Sequence, residues 1–310
     1  MPERDLLNAL RRILGSVDAV RNARALSVLL GTFASAGLLV SMAEASLAAG
    51  PGSWRGPVQA GAALFVAFYG GNTAGILVMD EARGGPVREV SEALRAAFAT
   101  AHRLLLVLLL LAAGCALFAG VLLGLLWLSR TAVSGAVLGP LLFGLTVPVG
   151  VLAVGLGALA LTAVAVPLAA PAVWAGSGVR QVVRRLVALI RHRLPTVVLL
   201  MAAVSLLTAG MGAIVTFVVM VGGRVVAALG VAVVGVDVPA QQLMAGLFGR
   251  GLRSAGAAGA PIGSTGHGAA ALVGGGVVFA LALVLPGLVY LRGTCSVYLA
   301  MTDDAPPLPR

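Results

Sequence analysis

Few polar side chains interrupt the long apolar runs of this sequence, and they are the first candidates for chemistry. Glu44 is the one carboxylate inside a predicted membrane span, and Asn72 and Thr73 lie in the next apolar run. An ionisable residue inside a membrane is a functional hypothesis by default, because burying its charge is costly. We therefore name these three residues as candidates for an intramembrane polar path. The alternative is an interfacial carboxylate, with Asn72 and Thr73 bonding between helices.

Other residue types that could support catalysis occur without a matching motif. His102 and His192 stand at similar places beside two apolar runs, where helix ends that meet lipid headgroups explain them better than a pH sensor or a metal site. Cys115 and Cys295 form no C-x-x-C motif, so we interpret them as buried apolar thiols. There is no H-E-x-x-H, no G-x-S-x-G and no lysine for a Walker motif. We predict no catalytic centre, no cofactor and no metal.

The composition places the chain in a membrane. Hydrophobic residues make up 60% of its 310 positions, charged residues make up 10%, and the mean hydropathy is +1.05. A soluble domain carries about 25% charged residues. The net charge of +10 comes from arginines that lie between apolar runs. That placement favours contact with anionic lipid headgroups and argues against nucleic acid binding.

Six apolar runs are long enough to cross a bilayer. We predict an all-α, polytopic transmembrane helical bundle with three cytosolic amphipathic interfacial helices. The domain boundaries are an N-terminal amphipathic helix at 1–24, a transmembrane domain at 25–292 and a cytosolic tail at 293–310. The predicted spans are about 25–48, 58–79, 104–128, 136–167, 196–221 and 269–291. The run at 225–236 is short for a span, so we expect a re-entrant or interfacial piece, with a seventh span as the alternative.

A pattern of glycine break, amphipathic stretch and re-entry occurs twice. Gly84 to Val90 resembles Gly176 to Val182, 92 residues later, and the His-Arg-Leu at 102–104 returns at 192–194. Helical spacing predicts apolar faces on both stretches. The first consists of Val87, Val90, Leu94, Phe98 and Ala101, and the second of Val179, Val182, Val183, Leu186, Val187 and Ile190. We interpret the N-terminal helix with the first span as a third, degenerate copy.

The arginines predict an orientation. With the N-terminus in the cytosol, sixteen arginines fall in cytosolic segments and five fall outside. We expect a plasma (inner) membrane protein with both termini cytosolic. Nine arginines beside the spans are candidates for contact with a protein partner or with anionic lipid: Arg83, Arg88, Arg95, Arg103, Arg180, Arg184, Arg185, Arg191 and Arg193.

Two patterns resemble a known group. One is Asn72-x-Ala-Gly-Ile-x-x-Met-Asp80 before an Ala-rich amphipathic helix, and the other is Val166-Pro167, then Gly176, then arginines from 180 to 193. Together they resemble uncharacterised six-helix bacterial membrane proteins, the YciC-like proteins and the membrane domain of some glycerophosphodiester phosphodiesterases. The layout is also similar to ABC-2-type permease subunits, in which an amphipathic helix between spans two and three couples to an ATPase.

Two functions follow as hypotheses. The first is a non-enzymatic plasma-membrane protein that acts as a subunit or scaffold of a membrane complex, with protein partners or self-association. The second, which the resemblance to ABC-2-type permeases implies, is a transport permease with a separate ATPase. A hydrated path along Glu44, Asn72 and Thr73 would favour transport, and a dry, tightly packed bundle would favour the scaffold.

Overall fold

The computed structural model describes residues 3–48, 54–130, 135–234 and 266–303, and every regular element in these ranges is helical. Two short elements open the chain, α1 (Glu3–Leu14) and a 3₁₀ turn (Gly15–Arg21). The other α-helices follow in this order: α2 (Ala23–Ala48), α3 (Arg55–Ala82), α4 (Val90–Arg130), α5 (Gly135–Ala160), α6 (Val166–Trp174), α7 (Val179–Val234) and α8 (Gly266–Asp303).

Six helical stretches in the described residues are long and apolar enough to cross a membrane. They are Ala23–Val40, Arg55–Ala82, Val90–Ser129, Gly139–Trp174, Val179–Val226 and Ala280–Thr302. The predicted number of spans and the all-α class are therefore confirmed at this level. The orientation and the cellular membrane stay predictions.

The chain forms two compact units. The first contains Met1–Ile13, Arg95–Ala203 and Thr294–Arg310, and the second contains Leu14–Leu94 and Val204–Gly293. In the second unit, α2 and α3 pair as an antiparallel hairpin. A Cβ added at Gly56 would lie 2.7 Å from Cγ of Leu47, and one at Gly70 would collide with Thr32. The two helices approach closely where glycine leaves room for the partner side chain.

The fourth predicted span is one helical run with a widened turn. α5 passes into a π-helical turn at Leu161–Ala165 and then into α6. Pro167 has no N–H to donate to the carbonyl of Ala163, so the ladder loses a bond just where the turn widens. The apolar helix continues to Trp174, seven residues beyond the predicted end at 167.

The two amphipathic stretches bury only part of their surface within the chain. In α4, small side chains are buried at Ala93, Ala97 and Ala101, whereas Leu94 and Phe98 of the predicted apolar face are exposed. In α7, Val182 and Leu186 of the predicted apolar face are buried, and Val187 is exposed. Helical spacing predicts which residues share an apolar face, but not which of them the chain itself covers.

The path of the chain after each amphipathic stretch also differs. α4 runs unbroken from its amphipathic part into the predicted span. α7 bends at Arg193, whose backbone is non-helical at φ −134° and ψ 18°, two residues before Pro195. A proline inside a helix removes one backbone hydrogen bond and clashes with the preceding turn, which explains the kink.

The ends of the last two helices correct two boundaries. α7 continues through Gly222 and Gly223 to Val234, so most of the expected re-entrant piece at 225–236 is an extension of the fifth span's helix. α8 continues past Arg292 to Asp303, so the first part of the expected tail at 293–310 is helical. The end of the tail, 304–310, lies outside the described residues.

Candidate functional site

Two helix ends have the same backbone geometry. In the first corner, residues 80–88, the N–H of Gly84 bonds to the carbonyl of Glu81 at 2.9 Å, and that of Gly85 to Asp80 at 3.3 Å. In the second corner, residues 172–180, Gly176 bonds to Val173 at 2.9 Å and Ser177 to Ala172 at 3.3 Å. This is the Schellman arrangement, which needs a left-handed residue after the helix.

Glycine provides that residue in both corners. The φ angles are 70° at Gly84 and 89° at Gly176, and these are the positive values among the described residues. The 92-residue repeat seen in the sequence is therefore present in the structure up to Gly85 and Ser177. Beyond these positions it diverges, because seven residues separate α3 from α4 and four separate α6 from α7.

Asp80 is paired within the first corner. Nη2 of Arg88 donates to Oδ1 of Asp80 at 3.0 Å, and Nε lies 3.0 Å from Oδ2. The Asp80 side chain is 9% exposed and that of Arg88 is 40% exposed. A carboxylate near a helix C-terminus faces the negative end of the helix dipole, so the arginine compensates both the burial and the dipole.

Glu81 joins three elements of the second unit. Its Oε1 accepts a short hydrogen bond from Nη1 of Arg292 on α8, and its Oε2 accepts one from Nδ2 of Asn22 at 2.7 Å. Oδ1 of Asn22 in turn accepts the N–H of Ala25 at 3.0 Å, so Asn22 also caps α2. One carboxylate thus fixes the start of α2 and the middle of α8 to the end of α3.

Arg24 also binds the first corner, through two backbone carbonyls. Its Nη1 donates to the carbonyls of Val87 at 2.7 Å and Arg88 at 3.0 Å. These carbonyls belong to the link between α3 and α4, where the backbone has no helical partners. The first corner is therefore held by ion pairs and arginine–carbonyl bonds whose members come from α2, α3, the link and α8.

The second corner uses neutral partners. Nη1 of Arg185 donates to Oγ of Ser177 at 3.2 Å and to Oη of Tyr298 at 2.7 Å. Ser177 is 6% exposed and Tyr298 is 1% exposed. Two hydroxyls orient the guanidinium, but neither cancels its charge.

Two segments of equal length, each beginning at one of the corners, differ in net charge. Residues 80–103 hold four acids (Asp80, Glu81, Glu89, Glu92) and four arginines (83, 88, 95, 103), for a net charge of zero. Residues 172–195, shifted by 92, hold five arginines (180, 184, 185, 191, 193) and no acid, for +5. In the repeat register, Ala172 and Val173 replace Asp80 and Glu81.

Two of the three candidates for a polar path bond to the backbone of their own helix, and the path itself stays a prediction. Nδ2 of Asn72 donates to the carbonyl of Phe68 and Oγ1 of Thr73 to that of Tyr69, each at 2.8 Å and within α3. Both side chains are buried, at 5% and 1% exposure. The backbone of Glu44 belongs to α2, but its side chain lies outside the described part, so its role stays a prediction.

The nine candidate arginines fall into different environments. Arg88 is bound to Asp80, and Arg185 to Ser177 and Tyr298. Exposed side chains are those of Arg83, Arg95, Arg180, Arg184 and Arg191, and half-buried ones are those of Arg103 and Arg193. The sequence could not distinguish an arginine that balances an internal carboxylate from one that keeps its charge for an outside partner.

The histidines and cysteines do not gather into a site. Both His102 and His192 are exposed, Cys295 is buried, and Cys115 is exposed, contrary to the expectation of a buried thiol. Where the structure describes side chains, no group of three His, Cys, Asp or Glu could hold a metal ion.

Asp80, Glu81 and Arg292 were not predicted as interacting residues, because they follow directly on the predicted spans 58–79 and 269–291. The signal was present: adjacent carboxylates after six apolar or small residues, and an arginine within a long apolar run, are both costly unless paired. Tyr298 had no such signal. No family model, no curated protein and no solved structure matches this chain.

Proposed function

We propose that this chain is a non-enzymatic subunit or scaffold of a membrane complex. The observation that carries the proposal is the uncovered surface of α4 and α5. Between Leu108 and Ser129 of α4 no side chain is buried, and between Pro140 and Leu159 of α5 only Gly150 is buried. Much more helix surface is available here than the chain itself uses.

The surface of α4 also has the composition of a helix-packing face. A Cβ added at Gly114, Gly120 or Gly124 would meet nothing within 4 Å. In a bilayer the hydrophobic effect does not drive helices together, because lipid tails are as apolar as the helix surfaces. Close packing at small residues is therefore a main source of helix association. Gly70 of α3 shows such packing already filled, because Thr32 of α2 occupies the space beside it. Open glycines on α4 therefore support a partner helix from another chain.

Affinity purification in a mild detergent, with mass spectrometry of the co-purifying proteins, tests the proposal. We expect stoichiometric membrane or cell-envelope partners, or a second copy of the chain. The double variant Gly120→Leu with Gly124→Leu should lose them while the chain stays folded and elutes as a single symmetric peak, later than the complex. The matched control is Gly61→Leu, the same change at an open glycine of α3, which should keep the partners.

The exposed thiol of Cys115 gives a second measurement on the same helix. A bifunctional thiol reagent on native membranes should join Cys115 of two copies, or Cys115 and a partner thiol, and Cys115→Ser should abolish the product. Buried Cys295 serves as the internal control. The proposal fails if the chain purifies alone and neither the glycine variants nor cross-linking reveals a neighbour. A nucleotide-binding ATPase in near-equal amount would replace the scaffold by the permease.

A further inference from the structure

We infer that the second corner binds the phosphate of an anionic phospholipid headgroup through Arg180, Arg184 and Arg185. This inference is independent of the proposed function, because it concerns α7 and not the surface of α4. It rests on the position of these arginines, on the absence of acids beside them and on the way Arg185 is held.

The position is that of a lipid headgroup. The second corner joins the stretch Gly139–Trp174 to the stretch Val179–Val226, both apolar and long enough to cross a membrane. Along α7, Arg180, Arg184 and Arg191 follow at intervals of four and seven residues, so they share one face. Val187 lies on that face too and is 48% exposed. An exposed apolar side chain between exposed arginines is typical of a helix in the membrane interface.

No acidic residue in the surrounding stretch of sequence balances the positive charge of this face. Residues 95–203 contain eight arginines and no acidic residue. Within the described part of the chain, Arg180 and Arg184 have neither an ion pair nor a side-chain hydrogen bond. The N-terminus of α7 adds a partial positive charge to the same place. The phosphate of an anionic phospholipid is an uncompensated negative charge at this level of the membrane, whereas the choline of phosphatidylcholine cancels the charge of its phosphate.

Arg185 supplies an oriented donor. Its Nη1 is occupied by Ser177 and Tyr298, and Nε and Nη2 have no partner among the described residues. An arginine fixed at one end and open at the other can offer two parallel N–H groups to a phosphate. Because Tyr298 is buried and its own ring is fixed, the guanidinium loses less freedom on binding than a mobile side chain would.

Native mass spectrometry of the full-length protein in non-ionic detergent, titrated with phosphatidylglycerol or phosphatidylcholine, tests the inference. We expect the chain to prefer phosphatidylglycerol. Each exposed arginine near a membrane surface contributes roughly fivefold to anionic lipid binding, so Arg180→Gln with Arg184→Gln should weaken it about 30-fold. Phosphatidylcholine binding should not change.

Two further variants make the test specific. Arg83→Gln with Arg95→Gln removes the same charge from around the first corner, where acids and arginines are equal in number, and should change phosphatidylglycerol binding less than about twofold. Tyr298→Phe keeps the buried ring but removes the acceptor for Arg185. It should weaken phosphatidylglycerol binding, leave phosphatidylcholine binding unchanged and lower Tm only slightly, because one hydrogen bond is lost.

Three results would overturn the inference. The first is equal binding of both lipids. The second is an equal loss from both pairs of arginine substitutions, which would show a general charge effect and not a site. The third is displacement of phosphatidylglycerol by millimolar inorganic phosphate, with phosphate binding that depends on Arg180 and Arg184, which would assign the corner to a free anion. Full lipid selectivity in a folded Arg180→Gln, Arg184→Gln variant would overturn it as well, because these arginines would then not contribute to binding.

Discussion

The first and second corners end their helices with the same backbone hydrogen bonds, yet they differ in where their charges go. In the first, Asp80 and Glu81 hold Arg88 and Arg292, and the latter comes from 211 residues further along the chain. In the second, Ala172 and Val173 take those places, and Arg185 is held by hydroxyls. The same backbone turn thus carries ion pairs within the chain in the first corner and an exposed cationic surface in the second.

The largest loss of stability should come from breaking the ion pair between Glu81 and Arg292. Glu81→Ala leaves Arg292, whose side chain is only 19% exposed, without its carboxylate, and leaves the amide of Asn22 without its acceptor. We expect a loss of about 2–4 kcal/mol in stability, less than for a fully buried pair because water reaches the site. Thermal unfolding of detergent-purified protein, followed by size-exclusion chromatography, measures the change in Tm.

A double-mutant cycle separates the ion pair from the loss of packing. If Glu81 and Arg292 are coupled, the double variant Glu81→Ala with Arg292→Ala should cost clearly less than the sum of the single changes. Additive losses of stability would mean that the two residues act separately and that their ion pair does not stabilise the first corner.

Alanine substitutions at the two glycines test whether the two corners have the same backbone conformation. Gly84→Ala and Gly176→Ala each place a Cβ on a residue with positive φ, which costs about 1–2 kcal/mol for an L-residue. We expect similar losses in Tm for the two variants. Gly178→Ala is the control, because it lies in the second corner without a positive φ and with open space around it. Unequal losses would contradict the shared geometry.

The smallest effects should come from the arginines, and here the corners should differ. Arg88→Gln leaves Asp80 without its cation and should cost about 1 kcal/mol, since the pair is partly exposed and screened. Arg180→Gln should change stability by less than about 0.5 kcal/mol, because this exposed side chain contributes to no internal pair in the described residues. Equal costs would show that Arg180 has an internal role.

Much of the architecture followed from local sequence. Long apolar runs predicted the number of helices that are long and apolar enough to cross a membrane, because a bilayer accepts only segments that satisfy their own backbone hydrogen bonds. Gly84 and Gly176 marked the ends of α3 and α6, since glycine alone adopts positive φ without strain. The charge difference between the corners is also a property of sequence, because it requires only counting.

Only the tertiary structure decided which charges are satisfied. Arg292 was expected to mark the end of a span, but α8 continues to Asp303, and Glu81 pairs with that arginine. Helical spacing likewise placed Phe98 on an apolar face, but only the structure shows that the chain buries Ala97 and leaves Phe98 exposed. Hydropathy and periodicity are properties of neighbours along the chain, whereas pairing and close packing depend on residues that meet from distant positions.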